Sequence, residues 1–483
     1  MPAKNHRNAA WTLVITGAAL FMTALDNLIV GVALPSIRAD LGGTIETLQW
    51  TVNAYTLTFA VLLITGAALG DRFGRRRMFV IGVGIFTVAS AAAALAPDLN
   101  SLIAARAVQG AGAAIVTPLT LTLVSGAFPP EKRGAALGIW GGISGLGVAL
   151  GPLLGGAVVE GISWQWIFWI NVPVGLVLMP LAMRHLSEST GPDRALDLPG
   201  LGLIGIGLFG ITFGIIRGES LGWTSLTVVA SIGIGLLTLA AFVAWELRAK
   251  EPMLPMRFFK SRAFSATNGL SFTMFFGTFG AIFLLSQFFQ TAQGLGPLEA
   301  GLRTLPWTAM PMIIAPIAGA LSDRIGTRPL MFTGLTLQAA GLGWIALITS
   351  PEIAFGELIV PFMMAGSGMA LVFPTAAATV LSAVREREAG KASGTTNAIR
   401  EIGGVMGVAV LSSVFAANGG FESPQAFNNG VVAALPIAVA VLAIGAVLAL
   451  LVPRRTPAAE QADTNEADGI PLPGELRPAA ETA

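Results

Sequence analysis

The 483-residue chain contains no cysteine, so disulfides, thiolate nucleophiles and cysteine-rich metal sites are excluded together. Histidine occurs twice, tyrosine once, and charged residues make up only 11% of the sequence. A soluble domain carries about 25% charge, and a chain this long with less than half of that cannot cover a globular surface with polar groups. No H-E-x-x-H or G-x-x-x-x-G-K-[ST] pattern occurs, which, with two histidines and no cysteine, leaves an intramembrane metalloenzyme or an ATP-driven pump without visible chemistry. The 28 Lys and Arg nearly cancel the 27 Asp and Glu, and the net charge of +1 gives no reason to expect nucleic acid as a partner. What is abundant is apolar: 54% of residues are hydrophobic and the mean hydropathy is +0.74. The composition is that of an all-α polytopic membrane protein or a membrane barrel.

Run length decides between those two. Crossing ~30 Å of hydrocarbon as a helix takes about 20 apolar residues, whereas barrel strands are about ten residues of alternating polarity. Fourteen continuous apolar runs occur, near 11–35, 48–69, 78–96, 102–126, 134–159, 166–183, 198–216, 224–245, 264–290, 298–321, 329–349, 357–382, 393–417 and 428–452. The reading is fourteen transmembrane helices. Lys4, His6 and Arg7 before the first run resemble a signal peptide, but that run exceeds a signal h-region and carries Asp26. It is read as an uncleaved first helix.

Basic residues gather on the cytoplasmic side of membrane proteins. With the N-terminus inside, 23 of the 28 Lys and Arg fall on the cytoplasmic side and three, Arg38, Arg217 and Arg303, fall outside. The last two, Arg106 and Arg400, lie within helices. The expectation is a multi-pass protein of the inner (cytoplasmic) membrane with both termini in the cytoplasm.

An internal repeat organises the helices. Leu69-Gly70-Asp71-Arg72-Phe73-Gly74-Arg75-Arg76-Arg77 recurs as Leu321-Ser322-Asp323-Arg324-Ile325-Gly326-Thr327-Arg328-Pro329, each between the second and third helices of a six-helix group. Gly147-Val148-Ala149 recurs as Gly407-Val408-Ala409 in the fifth helices. The layout is six plus two plus six. Residues 1–185 form a first bundle, 186–262 a two-helix insertion with a cytoplasmic linker, 263–452 a second bundle, and 453–483 a Pro-, Ala- and Glu-rich tail expected to be disordered.

These segments resemble the major facilitator superfamily and, within it, the fourteen-helix drug:proton antiporters. Asp71 to Arg76 is similar to the D-R-x-G-R-R loop, and Arg106-Ala107-Val108-Gln109-Gly110-Ala111-Gly112 to R-x-x-Q-G-x-G. Gly147 to Gly156 resembles the G-x-x-x-G-P-x-x-G-G segment of the antiporter branches, and Leu25-Asp26 through Pro35 the L-D-x-T-I-V-N-V-A-L-P signature. Leu28 and Gly31 replace the usual Thr and Asn, and Ala67 replaces a Gly. The resemblance implies the major facilitator fold, with two pseudo-symmetric six-helix bundles, and proton-coupled efflux.

The residues supply chemistry for that role. A carboxyl within the bilayer costs ~2.5–3.5 kcal/mol on insertion scales and by default marks function, so Asp26 is the first candidate for a proton carrier. Arg106, at a compatible depth, is its candidate partner, or else a fixed donor to helix carbonyls. Glu401 is the second candidate for proton coupling, beside Arg400 and Asn397; a helical step of ~100° turns adjacent side chains apart, so Arg400 and Glu401 face different neighbours. Asp71, with Arg72, Gly74, Arg75 and Arg76, is read as a cytoplasmic lock reaching the start of the thirteenth helix, where the dipole favours an anion, or as an ordinary positive-inside loop. Asp323 and Arg324 are its weaker second copy. Gly147, Gly151, Pro152, Gly155 and Gly156 suit either a hinge between the halves or tight packing. Asn53, Tyr55, Asn268, Gln287 and Trp307, with Asn397 and Arg400, are candidates for lining a substrate cavity, where aromatic faces hold flat or cationic ligands.

The functional expectation is a proton-coupled antiporter exporting hydrophobic or cationic drugs by alternating access. No metal and no cofactor is expected, the proton-motive force driving transport. The expected partners are a small lipophilic or cationic substrate, protons and membrane lipid, with the chain acting as a monomer. A dedicated exporter of an endogenous metabolite or antibiotic, or a proton-coupled nutrient symporter, is the alternative.

Overall fold

The computed structural model describes residues 2–128, 130–190, 197–384 and 389–453; the tail beyond 453 lies outside the described residues. Among the described residues there is no strand. Sixteen α-helices follow one another: α1 Pro2–Leu41, α2 Ile45–Phe73, α3 Arg75–Ala94, α4 Leu99–Ala127, α5 Pro130–Gly161, α6 Trp166–Trp169, α7 Asn171–His185, α8 Leu198–Leu221, α9 Leu226–Glu246, α10 Arg262–Thr291, α11 Pro297–Thr308, α12 Met310–Ile325, α13 Thr327–Ile348, α14 Phe355–Ser382, α15 Ala389–Asn418 and α16 Pro424–Leu451. They make the fourteen expected spans. Thirteen stretches are long and apolar enough to cross a membrane, counting α6 with α7 and α11 with α12 as one each, and α5 takes the fifth place.

The starts and breaks follow from local chemistry. Asp98, Asp197, Ser225, Ser261 and Ser423 each accept a backbone N–H in the first turn of α4, α8, α9, α10 and α16, satisfying donors that a helix N-terminus leaves free. The bonds from Ser101 hold the exposed Asp98 carboxyl below its usual range. Gly74 between α2 and α3 and Gly326 between α12 and α13 have φ of 104° and 82°, a region that disfavours side chains with a Cβ. The glycine shared by both copies of the loop repeat is therefore a turn requirement. Two spans are interrupted where proline removes a helical N–H: Pro173 follows the break between α6 and α7, and Pro311 the break between α11 and α12.

Packing repeats as the sequence does. The contacts of α2 with α4, α3 with α4, α1 with α5 and α3 with α7 are matched by those of α11 and α12 with α14, α13 with α14, α10 with α15 and α13 with α16. The inserted α8 and α9 pair with each other, and Leu208 of α8 joins Leu57 of α2 and Val405 of α15 in one apolar cluster. The insertion thus covers a seam between the two groups. At the end opposite the arginine-rich loops one apolar core runs through both groups, from Ile29, Leu34 and Ile37 of α1 to Phe288 and Phe289 of α10 and Phe427 of α16. At the arginine-rich end the clusters are separate, one around Phe79 and Leu119 and another around Phe264 and Val380. Three contacts fasten the shared end: Gln290 Nε2 donates to the Val32 carbonyl at 2.7 Å, the Leu298 N–H to Glu160 at 2.9 Å, and Arg38 stacks on Phe421 at 3.6 Å.

Candidate functional site

Glycines bring the helices of the site together. A Cβ on Gly110 of α4 would stand 2.3 Å from the Tyr55 carbonyl of α2, and one on Gly112 would stand 2.7 Å from the Phe86 nitrogen of α3. With hydrogen there instead, α4 lies against α2 and α3 and carries Arg106 and Gln109, one turn apart on the same face, to Asp26 of α1. Arg106 Nη1 donates to Asp26 Oδ2 in a buried ion pair. The guanidinium also donates to Gln109 Oε1 at 2.6 Å and, through Nε, to the Thr51 carbonyl at 3.1 Å. Its plane lies 4.3 Å from the Tyr55 ring centroid, and the Tyr55 hydroxyl donates to the Thr23 carbonyl at 3.3 Å.

The second oxygen of the carboxylate is held by neutral groups. Asp26 Oδ1 accepts from Gln109 Nε2 at 2.8 Å and from Asn171 Nδ2, on the first residue of α7, at 2.9 Å. Ser90 of α3 accepts from Gln109 at 2.9 Å and Asn171 at 3.4 Å and donates to the Phe86 carbonyl at 2.8 Å. Asp26 is 1% exposed and Arg106, Gln109 and Ser90 are 0% exposed. An ion pair taken out of water is tolerated only with good geometry and further hydrogen bonds, and this one has both. Asp26 and Arg106 were legible as a pair; Gln109 stood in the motif without a role, and Ser90 and Asn171 were missed. A lone Asn inside an apolar run was the available signal for Asn171.

The other candidates are placed as follows. Arg400 of α15 is buried, stacks on Phe373 at 4.5 Å, and reaches Asn397 Oδ1 and the Phe373 carbonyl at 3.4 Å each. Glu401 is partly buried, and its Oε2 has no hydrogen-bond partner. The two neighbours on α15 thus turn apart, as expected. Asn53 is fully buried with neither amide atom bonded. Asn268 and Gln287 donate to Phe264 and Phe283 of their own helix, α10, and lie ~28 Å apart at 1.5 Å per residue. They do not share one cavity. Trp307 is buried against Phe362, beside a small apolar cavity that Ile282, Leu285, Thr304 and Thr308 also line.

At the loop repeat, Asp71 pairs with Arg75 across the α2–α3 turn at 2.9 Å, both half-buried. Glu188, which sequence reasoning missed, accepts the backbone N–H of Arg76 and Arg77 at 3.0 and 3.2 Å and pairs with the Arg76 side chain at 3.6 Å. The helix start that attracts an anion here is that of α3. Arg72 lies 5.2 Å from the Phe73 ring; Arg324 is exposed, and the side chain of Asp323 lies outside the described residues. The glycine segment of α5 divides into two faces. Gly147, Gly151 and Gly155 lie against Ala24, Leu28 and Ile29 of α1, while a Cβ on Gly156 would stand 2.3 Å from the Pro297 carbonyl of α11. One on Gly301 of α11 would in turn stand 2.3 Å from the Pro152 carbonyl.

The chain is similar throughout to known membrane transporters. The sequence model of the Major Facilitator Superfamily matches residues 16–408 and 267–480. The multidrug resistance protein Stp of Mycobacterium tuberculosis is 38% identical over 414 residues, 85% of this chain and 77% of the relative. The tetracenomycin C resistance and export protein of Streptomyces glaucescens is 34% identical over 88% of this chain and 79% of its own. The puromycin resistance protein pur8 of Streptomyces alboniger is 35% identical over 93% of both. A bacterial homologue of the human lysosomal transporter Spinster, solved inward-facing and unoccupied, matches with a TM-score of 0.66 at 17% identity, covering 93% of this chain and 97% of its own.

Proposed function

The chain belongs to the Major Facilitator Superfamily, a family of membrane transporters and not of enzymes, and from that premise we propose that it exports hydrophobic or cationic drugs in exchange for protons. The observation that carries the reading is the enclosed Asp26–Arg106 pair. It is a titratable carboxyl in the middle of a membrane helix, held by a cation that a proton would displace. Relatives named for multidrug resistance and for export of single antibiotics support efflux as the direction.

In this reading the arginine-rich end faces the cytoplasm, as do both termini, and the protein sits in the cytoplasmic membrane as a monomer. The shared core and the Gln290, Glu160 and Arg38 contacts keep the outer end shut while substrate enters from the cytoplasm or the lipid. Opening outward breaks those contacts and exposes Asp26 to protons, and neutralising it frees Arg106. Proton release to the cytoplasm restores the pair and resets the carrier. Glu401 faces the same central region from the second group and takes a cationic substrate or a second proton. Asp71 and Arg75 serve the cytoplasmic gate, with the α5–α11 crossing as the hinge. No cofactor takes part, since each charge moving inward at 100 mV supplies ~2.3 kcal/mol.

The test is a proteoliposome assay with an imposed proton gradient and a panel of lipophilic cations, dyes and antibiotics. Counterflow of substrate against protons is expected, and Asp26→Asn abolishes it while the protein stays folded. Substrate moving with the protons would establish a symporter instead. The names of two relatives, each tied to one antibiotic, favour a second reading, a dedicated exporter, for which only one compound of the panel would be carried.

A further inference from the structure

We infer that Asn171 is a positioning residue that confines proton uptake to one oxygen of Asp26, the oxygen that Arg106 holds. The inference rests on the proton-coupled reading above. It comes from the orientation of the two amides, which their other partners fix. Gln109 Oε1 faces Arg106 Nη1 at 2.6 Å, and a guanidinium only donates, so the NH2 of Gln109 must face Asp26. The Ser90 hydroxyl gives its proton to the Phe86 carbonyl at 2.8 Å, so the Asn171 group that lies 3.4 Å from Ser90 and 2.9 Å from Asp26 must be its NH2.

Oδ1 therefore accepts two N–H bonds, as many as its lone pairs, from groups that cannot turn round to accept. A proton placed there would confront two donors. Oδ2 accepts from Arg106 Nη1 alone and has its second lone pair open. The proton adds to that lone pair, the carboxylate becomes a neutral acid, the guanidinium keeps its charge, and the ion pair on that oxygen is reduced to a weaker ion–dipole bond. Without Asn171, Oδ1 also has a vacant lone pair, and Asp26 takes a proton there, on the oxygen that Arg106 does not touch.

Arg106 of α4 is the charge in contact with Asp26. The charged residues of the helices packed around α1 whose side chains are described, Glu46, Asp71 and Arg72 of α2, Glu160 of α5, Arg184 and His185 of α7, Arg262 of α10 and Glu299 and Arg303 of α11, stand toward the helix ends.

The experiment measures proton-driven export in proteoliposomes from pH 5 to 9 for the wild type, Asn171→Leu and Ser90→Ala. Asn171→Leu keeps the branched outline and the number of side-chain heavy atoms and removes the donor. Losing one hydrogen bond to the charged form moves the pH of half-maximal export upward, by about one unit, with substrate KM unchanged. Ser90→Ala, which loosens both amides, moves it in the same direction by less and decides the matter should the first variant fail to insert. A lower rate at an unmoved pH midpoint would make Asn171 merely structural and overturn the inference while the coupled reading stands. A wild type that ignores the gradient would remove the coupled reading first, and this inference with it.

Discussion

Removing the guanidinium while keeping the carboxylate is the most direct test of the central pair. In Arg106→Met the side-chain volume is largely kept, but Asp26, 1% exposed, retains only the Gln109 and Asn171 amides. Breaking a buried pair from one side costs ~3–5 kcal/mol, because an uncompensated charge stays behind. Removing both charges, in Asp26→Leu with Arg106→Met, leaves unpaired only the neutral acceptors that Arg106→Met already orphans, Gln109 Oε1 and the Thr51 carbonyl that accepted Arg106 Nε at 3.1 Å, while both amides still donate to Ser90. Each costs ~1–3 kcal/mol in both variants, and replacing a buried pair with apolar groups offsets that by ~1–4 kcal/mol in the double variant. The double variant is therefore more stable than Arg106→Met alone, and the cycle gives a coupling of at least ~2 kcal/mol. The assay is reversible unfolding in mixed micelles, repeated at two pH values. Arg106→Met recovers on acidification, since protonating Asp26 removes the orphan charge, whereas the double variant does not respond. Additivity within ~0.5 kcal/mol, or a single variant indifferent to pH, would refute the reasoning.

Two further predictions concern closure. Gly156→Leu drives a side chain into the Pro297 carbonyl, 2.3 Å from where its Cβ would stand, so transport is lost while the protein still inserts. Gly31→Ala, with nothing within 4 Å, leaves efflux unchanged; equal effects in a dye-efflux assay would show that the α5–α11 crossing is not special. Asp71→Asn removes a partly exposed pair across the α2–α3 turn, worth ~0.2–1 kcal/mol, a small change in melting temperature. A large loss of transport against that small change marks Asp71 as part of the gate, and full activity excludes it.

The number of spans was legible because hydrocarbon thickness sets a length that composition must meet. Their interruptions were harder to read. The run at 166–183 is apolar apart from Asn171, yet the helix breaks at Ile170, and the first residue of α7 stands beside Asp26. The run at 298–321 holds three prolines, Pro306, Pro311 and Pro316, but the place where it breaks depends on long-range packing. The Trp307 carbonyl lies where a Cβ on Gly366 of α14 would stand, 2.2 Å away, a contact between residues 59 positions apart. The glycine segment of α5 was legible as a close-packing surface, whereas its division between α1 and α11 was not. Positions 147, 151 and 155 share one face, and 152 and 156 share a face turned by one residue, about 100°. Only the neighbours tell the two apart.

The charged centre was legible for the reason that its neutral shell was not. A carboxylate or guanidinium in an apolar run has a large insertion cost and announces itself, so Asp26, Arg106, Arg400 and Glu401 could be picked from the sequence. Gln109, Asn171 and Ser90 cost little individually and occur in membrane helices for many reasons. They become informative only when one carboxylate oxygen is found to gather two of them at 2.8 and 2.9 Å. Arg400 shows the contrast: it is as deeply placed as Arg106, but it faces Phe373, a carbonyl and Asn397 at 3.4 Å, and each arginine keeps one buried nitrogen without a partner. Two buried arginines in equivalent apolar surroundings thus differ in what holds them. A proton arriving at Asp26 neutralises the partner of Arg106, and the second group offers Arg400 no such carboxylate contact among its described bonds.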